Sequence, residues 1–169
     1  TNLSKLLQCQ LSEIPIPERS NPKKATAIIG FNTFGSLIWP KENSSGISAP
    51  ILLIGGTYDL ITPLTNEQFR VFLSSENPLN RFLVVEGASH FSPIRIEKSS
   101  TKNNDLFKIG EPFIGSNPIS VQNLSLKVIS TFIDKTLKNE SLELISNQQE
   151  NNIDFHILDR EIVGEISEN

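Results

Sequence analysis

The sequence predicts a mixed α/β fold in which helices cover a mainly parallel sheet. Three short and almost continuous apolar runs are typical of strands that are buried on both faces. They span residues 25–33, 50–56 and 81–87. Apolar residues at helical spacing lie between the second and third runs and again after the third. Strands that alternate with helices in this way favour parallel strands joined by crossovers.

The first predicted strand, ATAIIGFNT (25–33), is followed by a polar, turn-rich connector of 16 residues, 34–49. A parallel crossover needs about a dozen residues, so this connector is long enough. It carries one small apolar cluster: Phe34, Leu37, Ile38 and Trp39. Upstream, residues 1–22 are expected to form a short helical turn followed by a loop, because the prolines at 15, 17 and 22 prevent a longer helix.

The second strand, PILLIGG (50–56), precedes a predicted helix over 62–75. Thr62 or Thr65 is expected to cap that helix, and Pro63 suits its first turn. Its apolar face is Phe69, Phe72 and Leu73.

The third strand, RFLVVEG (81–87), ends directly before Ala88-Ser89-His90. A polar stretch at 97–118 then predicts a long loop, which in compact domains is usually functional or mobile. Ser120 is expected to cap a helix over 120–138 with one apolar stripe: Leu124, Val128, Ile129, Phe132, Ile133 and Leu137. We expect one partial domain, with its core at 25–138 and a polar tail at 139–169 in which only Ile153, Phe155 and Ile157 alternate like a strand.

Composition excludes several classes of function. A net charge of −4 and a pI near 5.2 argue against a nucleic-acid-binding surface. No apolar run approaches the roughly 20 residues of a membrane span, so we expect a soluble, cytoplasmic protein. Cys9 is the single cysteine, which rules out an intrachain disulfide and a cysteine-based metal cage and favours simple packing. The absence of methionine indicates that Thr1 lies downstream of the native translation start, as in a processed product or a fragment.

Asp59 lies three residues after Gly56, and His90 lies three residues after Gly87. Because the carboxyl ends of parallel strands meet at one rim of the sheet, we expect the two side chains to touch there. A carboxylate that accepts the Nδ1 proton of an imidazole, and leaves Nε2 to serve a nucleophile, is the acid–base pair of a hydrolytic triad. The order acid before histidine, with the nucleophile earlier, is that of α/β-hydrolases.

Three segments carry a family resemblance: AIIGFNTFGS, PILLIGGTYDLITPL and FLVVEGASHFS. They resemble the last three core strands of an α/β-hydrolase, and in particular the bacterial predicted dienelactone hydrolases related to platelet-activating-factor acetylhydrolases. The resemblance covers residues 25 to 93. It implies a carboxylic ester or lactone substrate, a serine nucleophile, Asp59 as the triad acid and His90 as the triad base. It implies no cofactor, and no His, Asp or Glu cluster has metal-ligand spacing.

The sequence departs from that family in one respect, because the nucleophile elbow G-x-S-x-G is missing. Gly87 to Phe91 lacks the final glycine, and Ser36 lacks the flanking pattern. We therefore expect this chain to supply the acid and the base. The N-terminal half of the same hydrolase would supply the nucleophile and the oxyanion hole, and this chain alone would be inactive.

Other interpretations stay open at this point. The chain could be a non-catalytic binding or scaffolding module that kept the hydrolase shape, or a half-Rossmann nucleotide binder, which the glycine spacing disfavours. Asp59 could be only a turn-former. Phe34, Trp39 and Phe91 could line a substrate pocket, or they could serve only in packing. His156 is expected to be exposed or to serve in packing, and Glu86 and Glu97 to be solvated or paired.

Overall fold

A computed structural model describes residues 25–35, 47–93, 118–138, 140 and 152–168. Within these ranges, strands β1 (Ile28–Phe31), β2 (Ile51–Gly56), β3 (Arg81–Val85) and β4 (Phe155–Leu158) form one sheet in the order β1-β2-β3-β4. The first three strands are parallel, and β4 is antiparallel to β3. The predicted mixed α/β class with a mainly parallel sheet is therefore confirmed.

Helices cover both faces of this sheet. They are α1 (Phe69–Leu73), which continues a π-helical turn at Leu64–Gln68, α2 (Pro118–Lys138) and α3 (Arg160–Glu168). Leu52 and Ile54 of β2 pack with residues of α2, whereas Ile51 and Leu53 pack with residues of α1 and α3. Alternate residues of one strand thus enter two separate cores, which explains why β2 is apolar along its whole length.

β1 is less buried than its apolar sequence predicts. Its first three residues are half-buried, and Phe31 is 41% exposed. The expectation of burial on both faces is wrong for β1, because β1 lies at the edge of the sheet in the part of the chain that the structure describes and pairs there with β2 alone.

The helix expected over 62–75 is shorter and starts differently. A π-helical turn begins at Leu64 after Pro63, and no side chain caps it. Neither Thr62 nor Thr65 therefore has the predicted capping role, because the Thr62 hydroxyl bonds to Asp59 instead. The predicted apolar face is present, since Phe69 and Phe72 are buried and Leu73 packs against the same core.

α2 begins at Pro118, so Ser120 lies inside its first turn and the predicted cap is wrong. Proline is favoured at this position, because its missing N–H would have had no partner in any case. Leu124, Val128 and Phe132 are buried as predicted, whereas Ile133 and Leu137 are 37% and 66% exposed. The stripe fails at its end, because α2 contributes no buried residue beyond Phe132.

The core extends beyond residue 138, contrary to the expected division. Phe155 of β4 and Val163 of α3 are buried, one in each core. Asp159 caps α3 through a hydrogen bond from the Ile162 amide to Oδ1 (3.0 Å), and Arg160 Nη1 donates to the Ser75 carbonyl (2.9 Å). Within 152–168, the strand-like alternation at 153–157 thus corresponds to β4, and α3 is the element that the polar composition of the tail conceals.

Several predictions fall outside the described residues: the turn and loop at 1–22 with Cys9, the connector with Ser36, Leu37, Ile38 and Trp39, and the stretch 97–117 with Glu97. Among the helices that the structure does describe, none has the length and apolarity needed to cross a bilayer.

Candidate active site

The loops after β2 and β3 bring Asp59 and His90 together. Gly56, the last residue of β2, is in register with Val85, the last residue of β3, so both loops leave the same rim of the sheet. His90 Nδ1 lies 3.0 Å from Asp59 Oδ2 and 3.2 Å from Oδ1. The contact expected from the sequence is present.

Backbone hydrogen bonds join these two loops. The Thr57 amide donates to the Val85 carbonyl (3.1 Å), and the Tyr58 amide donates to the Ala88 carbonyl (2.9 Å). A Cβ at Gly56 would collide with the backbone carbonyl of Ala88, so this close approach requires glycine. The distance between the acid and the base is therefore set by the main chain before either side chain contributes.

The Asp59 carboxylate is enclosed and fully hydrogen-bonded. Its side chain has no exposed surface. Oδ1 accepts from the amides of Ile61 (2.9 Å) and Thr62 (2.7 Å), and Oδ2 accepts from the Thr62 hydroxyl (2.6 Å). Asp59 thus organises its own turn, as the alternative interpretation holds, and it contacts His90 through the same two oxygens.

These contacts set the charge of Asp59. Burial by itself raises the pKa of this carboxyl, but the hydrogen bonds from His90 and Thr62 and the nearby imidazole act in the opposite direction and prevail. The pKa of Asp59 is held below its ordinary value, because donors that point at a carboxylate favour the ionised form. Asp59 is therefore an anion at neutral pH and can stabilise an imidazolium at His90.

The loop that carries His90 is held by its own hydroxyls. The Ser89 amide donates to Ser92 Oγ (2.9 Å), and the Phe91 amide donates to Ser89 Oγ (3.2 Å). The segment 87–91, which lacks the final glycine of a nucleophile elbow, thus uses Ser89 to build the turn. The Phe91 ring lies edge-on to the imidazole, with centroids 5.6 Å apart and an interplanar angle of 82°.

The Thr62 hydroxyl also lies near the imidazole, 3.2 Å from His90 Nδ1. Three features argue against Thr62 as a nucleophile: it is fully buried, its hydroxyl bonds to Asp59, and it faces the nitrogen that the acid already occupies. Because Nδ1 is committed to Asp59, Nε2 is the nitrogen that can serve an incoming hydroxyl.

The π-helical turn supports Asp59 from the other side. Gln68 Nε2 donates to the Thr62 carbonyl (2.8 Å) and lies 3.5 Å from Asp59 Oδ2. The neighbouring Glu67 accepts a hydrogen bond from the Gly35 amide at Oε2 (3.0 Å). Both side chains are fully buried, so two adjacent residues of this widened turn reach inward. Such turns are frequent at functional sites.

Sequence reasoning missed Asn32, Glu67 and Gln68, and it assigned Thr62 to a cap. One weak signal was available for Asn32, since an asparagine directly after an apolar run often marks a backbone turn with positive φ. Glu67 and Gln68 fall inside a predicted helix, where a polar residue is ordinarily assigned to the solvent face. Their burial depends on the π-helical turn, which leaves no pattern in the sequence.

An open groove of about 610 Å³ runs along β1 and reaches His90. Its walls are mainly apolar and include Ile28, Phe31 and Leu53. Phe34 also lines it, so this candidate wall residue lies next to the site, whereas Phe91 contacts the imidazole directly and is 38% exposed. In the ranges that the structure covers, no group of three or more His, Cys, Asp or Glu residues could hold a metal ion.

His156 and Glu86 form a separate pair on the surface. His156 Nε2 lies 2.6 Å from Glu86 Oε1, and both side chains are nearly half exposed. Neither contributes to the site, which agrees with the expectation that His156 is exposed and Glu86 paired.

In comparisons with known proteins, no family model matches this chain and no curated protein sequence matches it. Function is therefore inferred from the geometry of the site and from the resemblance of the three segments.

Proposed function

We propose that this chain supplies the acid and the base of a serine-type hydrolase with the α/β-hydrolase fold, acting on carboxylic esters or lactones. The observation that carries the proposal is the imidazole of His90, held through Nδ1 by a buried, ionised carboxylate at the carboxyl-terminal rim of a parallel sheet. The chain order Asp59 before His90 and the three resembling segments support the choice of family.

Each group has a defined part in the proposed reaction. Asp59 holds the proton of His90 on Nδ1, and Nε2 then removes the proton from a serine hydroxyl as that oxygen attacks the carbonyl carbon. Asp59 stabilises the imidazolium that forms. His90 next protonates the departing alkoxide, which leaves an acyl-enzyme, and a water molecule activated by Nε2 releases the acid. In a lactone the departing alkoxide stays attached to the acyl group.

In this proposal the serine comes from outside the loops that follow β2 and β3. β1 is an edge strand in the described ranges, and the apolar groove beside it leads to His90. A further parallel strand that paired with β1 would end next to His90, because parallel strands end at the same rim. We propose that the N-terminal half of the same hydrolase contributes this strand, the nucleophile after it and the oxyanion donors.

A fluorophosphonate probe tests the proposal, because it labels a serine only when a neighbouring base activates it. We expect the intact protein that contains this chain to be labelled, and His90→Ala to abolish labelling. His156→Gln is the matched control, since it changes the other histidine, and it should be labelled like the wild type. Absence of labelling in the folded intact protein, or labelling that survives His90→Ala, would refute the hydrolase.

One observation favours a second candidate, a non-catalytic binding or scaffolding module. The 169-residue sequence contains no G-x-S-x-G segment. If the chain belongs to such a module, the intact protein should also lack a nucleophile elbow and should hydrolyse neither an aryl ester nor a lactone. Labelled serine in such an elbow would exclude this candidate.

A further inference from the structure

Asn32, the first residue after β1, connects three parts of the site. Its amide donates to the Ile54 carbonyl of β2 (3.0 Å), which extends the ladder between β1 and β2. Its side-chain Nδ2 donates to the backbone carbonyl of His90 (2.8 Å). Its own carbonyl lies 3.1 Å from the hydroxyl of Thr62. Asn32 is buried, at 8% exposure.

The backbone of Asn32 is in the left-handed region, with φ at 45°. Asparagine tolerates this region better than other residues with a Cβ, because its short polar side chain can form local hydrogen bonds. Asn152 is the other residue besides glycine with a positive φ among those described, at 61°, and it lies exposed before β4. The positive φ alone would account for an asparagine at either position. Asn32 differs from Asn152 in that its side-chain amide is buried and bonded to the His90 carbonyl.

That amide holds the part of the loop from which the imidazole projects. The residues before His90 are held by the Tyr58 amide, which donates to the Ala88 carbonyl. The contacts of Ser89, Phe91 and Ser92 described above stay within the loop. The hydrogen bond from Asn32 reaches the peptide of His90 itself from the end of a different strand, β1. A shift of this peptide would move the imidazole relative to the fixed carboxylate of Asp59.

We propose that Asn32 is a positioning residue, whose amide fixes the peptide of His90 so that Nδ1 faces Asp59. The effect on the imidazole is independent of the reaction, and only its consequence for turnover rests on the proposed hydrolase. In the intact enzyme, Asn32→Gly should lower kcat by about 10- to 100-fold, as small misplacements of a catalytic group do. KM should change little, since Asn32 acts on a group whose contribution is made in the transition state.

Long-range ¹H–¹⁵N NMR spectra of the 169-residue chain test the positioning directly, because they show which ring nitrogen carries the proton. We expect the neutral His90 of the wild type to carry it on Nδ1. Asn32→Gly keeps the left-handed backbone unstrained and removes the donor, so part of the His90 population should move its proton to Nε2. Asn152→Gly makes the same substitution away from the site and should leave His90 unchanged. His156 is an internal reference in every spectrum.

Asn32→Asp provides a second variant of nearly equal size that cannot donate, and it should disturb His90 in the same way. A wild-type tautomer in Asn32→Gly or in Asn32→Asp overturns the proposal. Loss of the fold in both variants also overturns it, because Asn32 would then be a folding determinant. Failure of the hydrolase proposal can be told apart from failure of this one. The intact protein would not be labelled by the fluorophosphonate, while the variants would still change the tautomer of His90 as expected.

Discussion

In the part of the chain that the structure describes, two histidine–carboxylate pairs are in close contact but differ in burial. His156 and Glu86 are closer, at 2.6 Å, than His90 and Asp59, at 3.0 Å. The exposed fractions are 44% and 49% for the side chains of the first pair, and 24% and 0% for those of the second. A short distance between an imidazole and a carboxylate therefore does not identify a catalytic pair.

The surroundings of the two pairs account for the difference. Asp59 accepts two backbone amides and the Thr62 hydroxyl, and its loop is bonded to the loop of His90. The surface pair joins the end of β3 to β4, because Glu86 follows β3 and His156 lies within β4. An exposed pair is weakened by water and salt and stabilises a protein by about 0–1 kcal/mol. Catalysis requires groups that are held before the substrate arrives, and only the buried pair meets that condition.

Removal of one carboxylate from each pair should give the largest contrast. In the intact protein, Asp59→Asn should lower turnover of an aryl ester by roughly 10⁴-fold, the effect of a misplaced tautomer in another triad. Glu86→Gln should change turnover by no more than about twofold, since surface substitutions have small effects. Initial rates of aryl-ester hydrolysis measure both variants.

Near-normal turnover of Asp59→Asn would remove the role assigned to Asp59. Equal losses in the two variants would show that the pairs are linked through the fold, and the distinction drawn here would fail.

The same contrast shows what the sequence could reveal. Asp59 and His90 are predictable because continuous apolar runs mark buried strands, and glycines at 55–56 and 87 mark where those strands end. Residues at equivalent places after neighbouring parallel strands must lie near each other. The contact of the pair therefore followed from strand ends and chain order alone.

The supporting residues could not be found in this way. Asn32 is placed by a left-handed backbone, and Gln68 by a π-helical turn, and neither conformation has a periodicity of its own. α3 was missed although Asp159 precedes Ile162 and Val163 in a recognisable capping pattern, because the surrounding tail is rich in Asn, Gln and Glu.

A substitution at Gly56 should damage the buried pair without touching the exposed one. The new Cβ of Gly56→Ala would collide with the Ala88 carbonyl and force the two loops apart. We expect the free energy of unfolding to fall by about 1–3 kcal/mol, the cost of overpacking a tight site. Urea unfolding measures the change, and the NMR signals of His156 should stay in place.

Gly164→Ala is the matched control, because a Cβ at this position of α3 would meet nothing within 4 Å. It should raise the free energy of unfolding by about 0.5–1 kcal/mol, since alanine is the better helix former. Opposite signs for the two glycines are the expected result. A stabilising Gly56→Ala would contradict the close approach of the loops.

The smallest effect concerns pH. The pKa of Asp59 is lower in the folded chain than in the unfolded chain, where it is about 3.9. Its contribution to stability is therefore complete above about pH 5 and is lost progressively as the pH falls to the folded pKa. Thr62→Val removes a hydroxyl that lowers this pKa, so Asp59 should contribute less at neutral pH and the variant should lose less stability on acidification. The difference between the free energies of urea unfolding at about pH 7 and at about pH 3 measures this loss.

Thr65→Val is the control for this experiment, because Thr65 is an exposed threonine of the adjacent turn. It should lose as much stability on acidification as the wild type does. Glu86→Gln should differ from the wild type by no more than about 1 kcal/mol across the same range, as exposed pairs do. An equal loss of stability in Thr62→Val and the wild type would mean that the Thr62 hydroxyl does not favour the ionised form of Asp59. The ionised form of Asp59 would then be favoured by His90 and the backbone amides alone. The two pairs would differ less in the number of donors that stabilise the carboxylate.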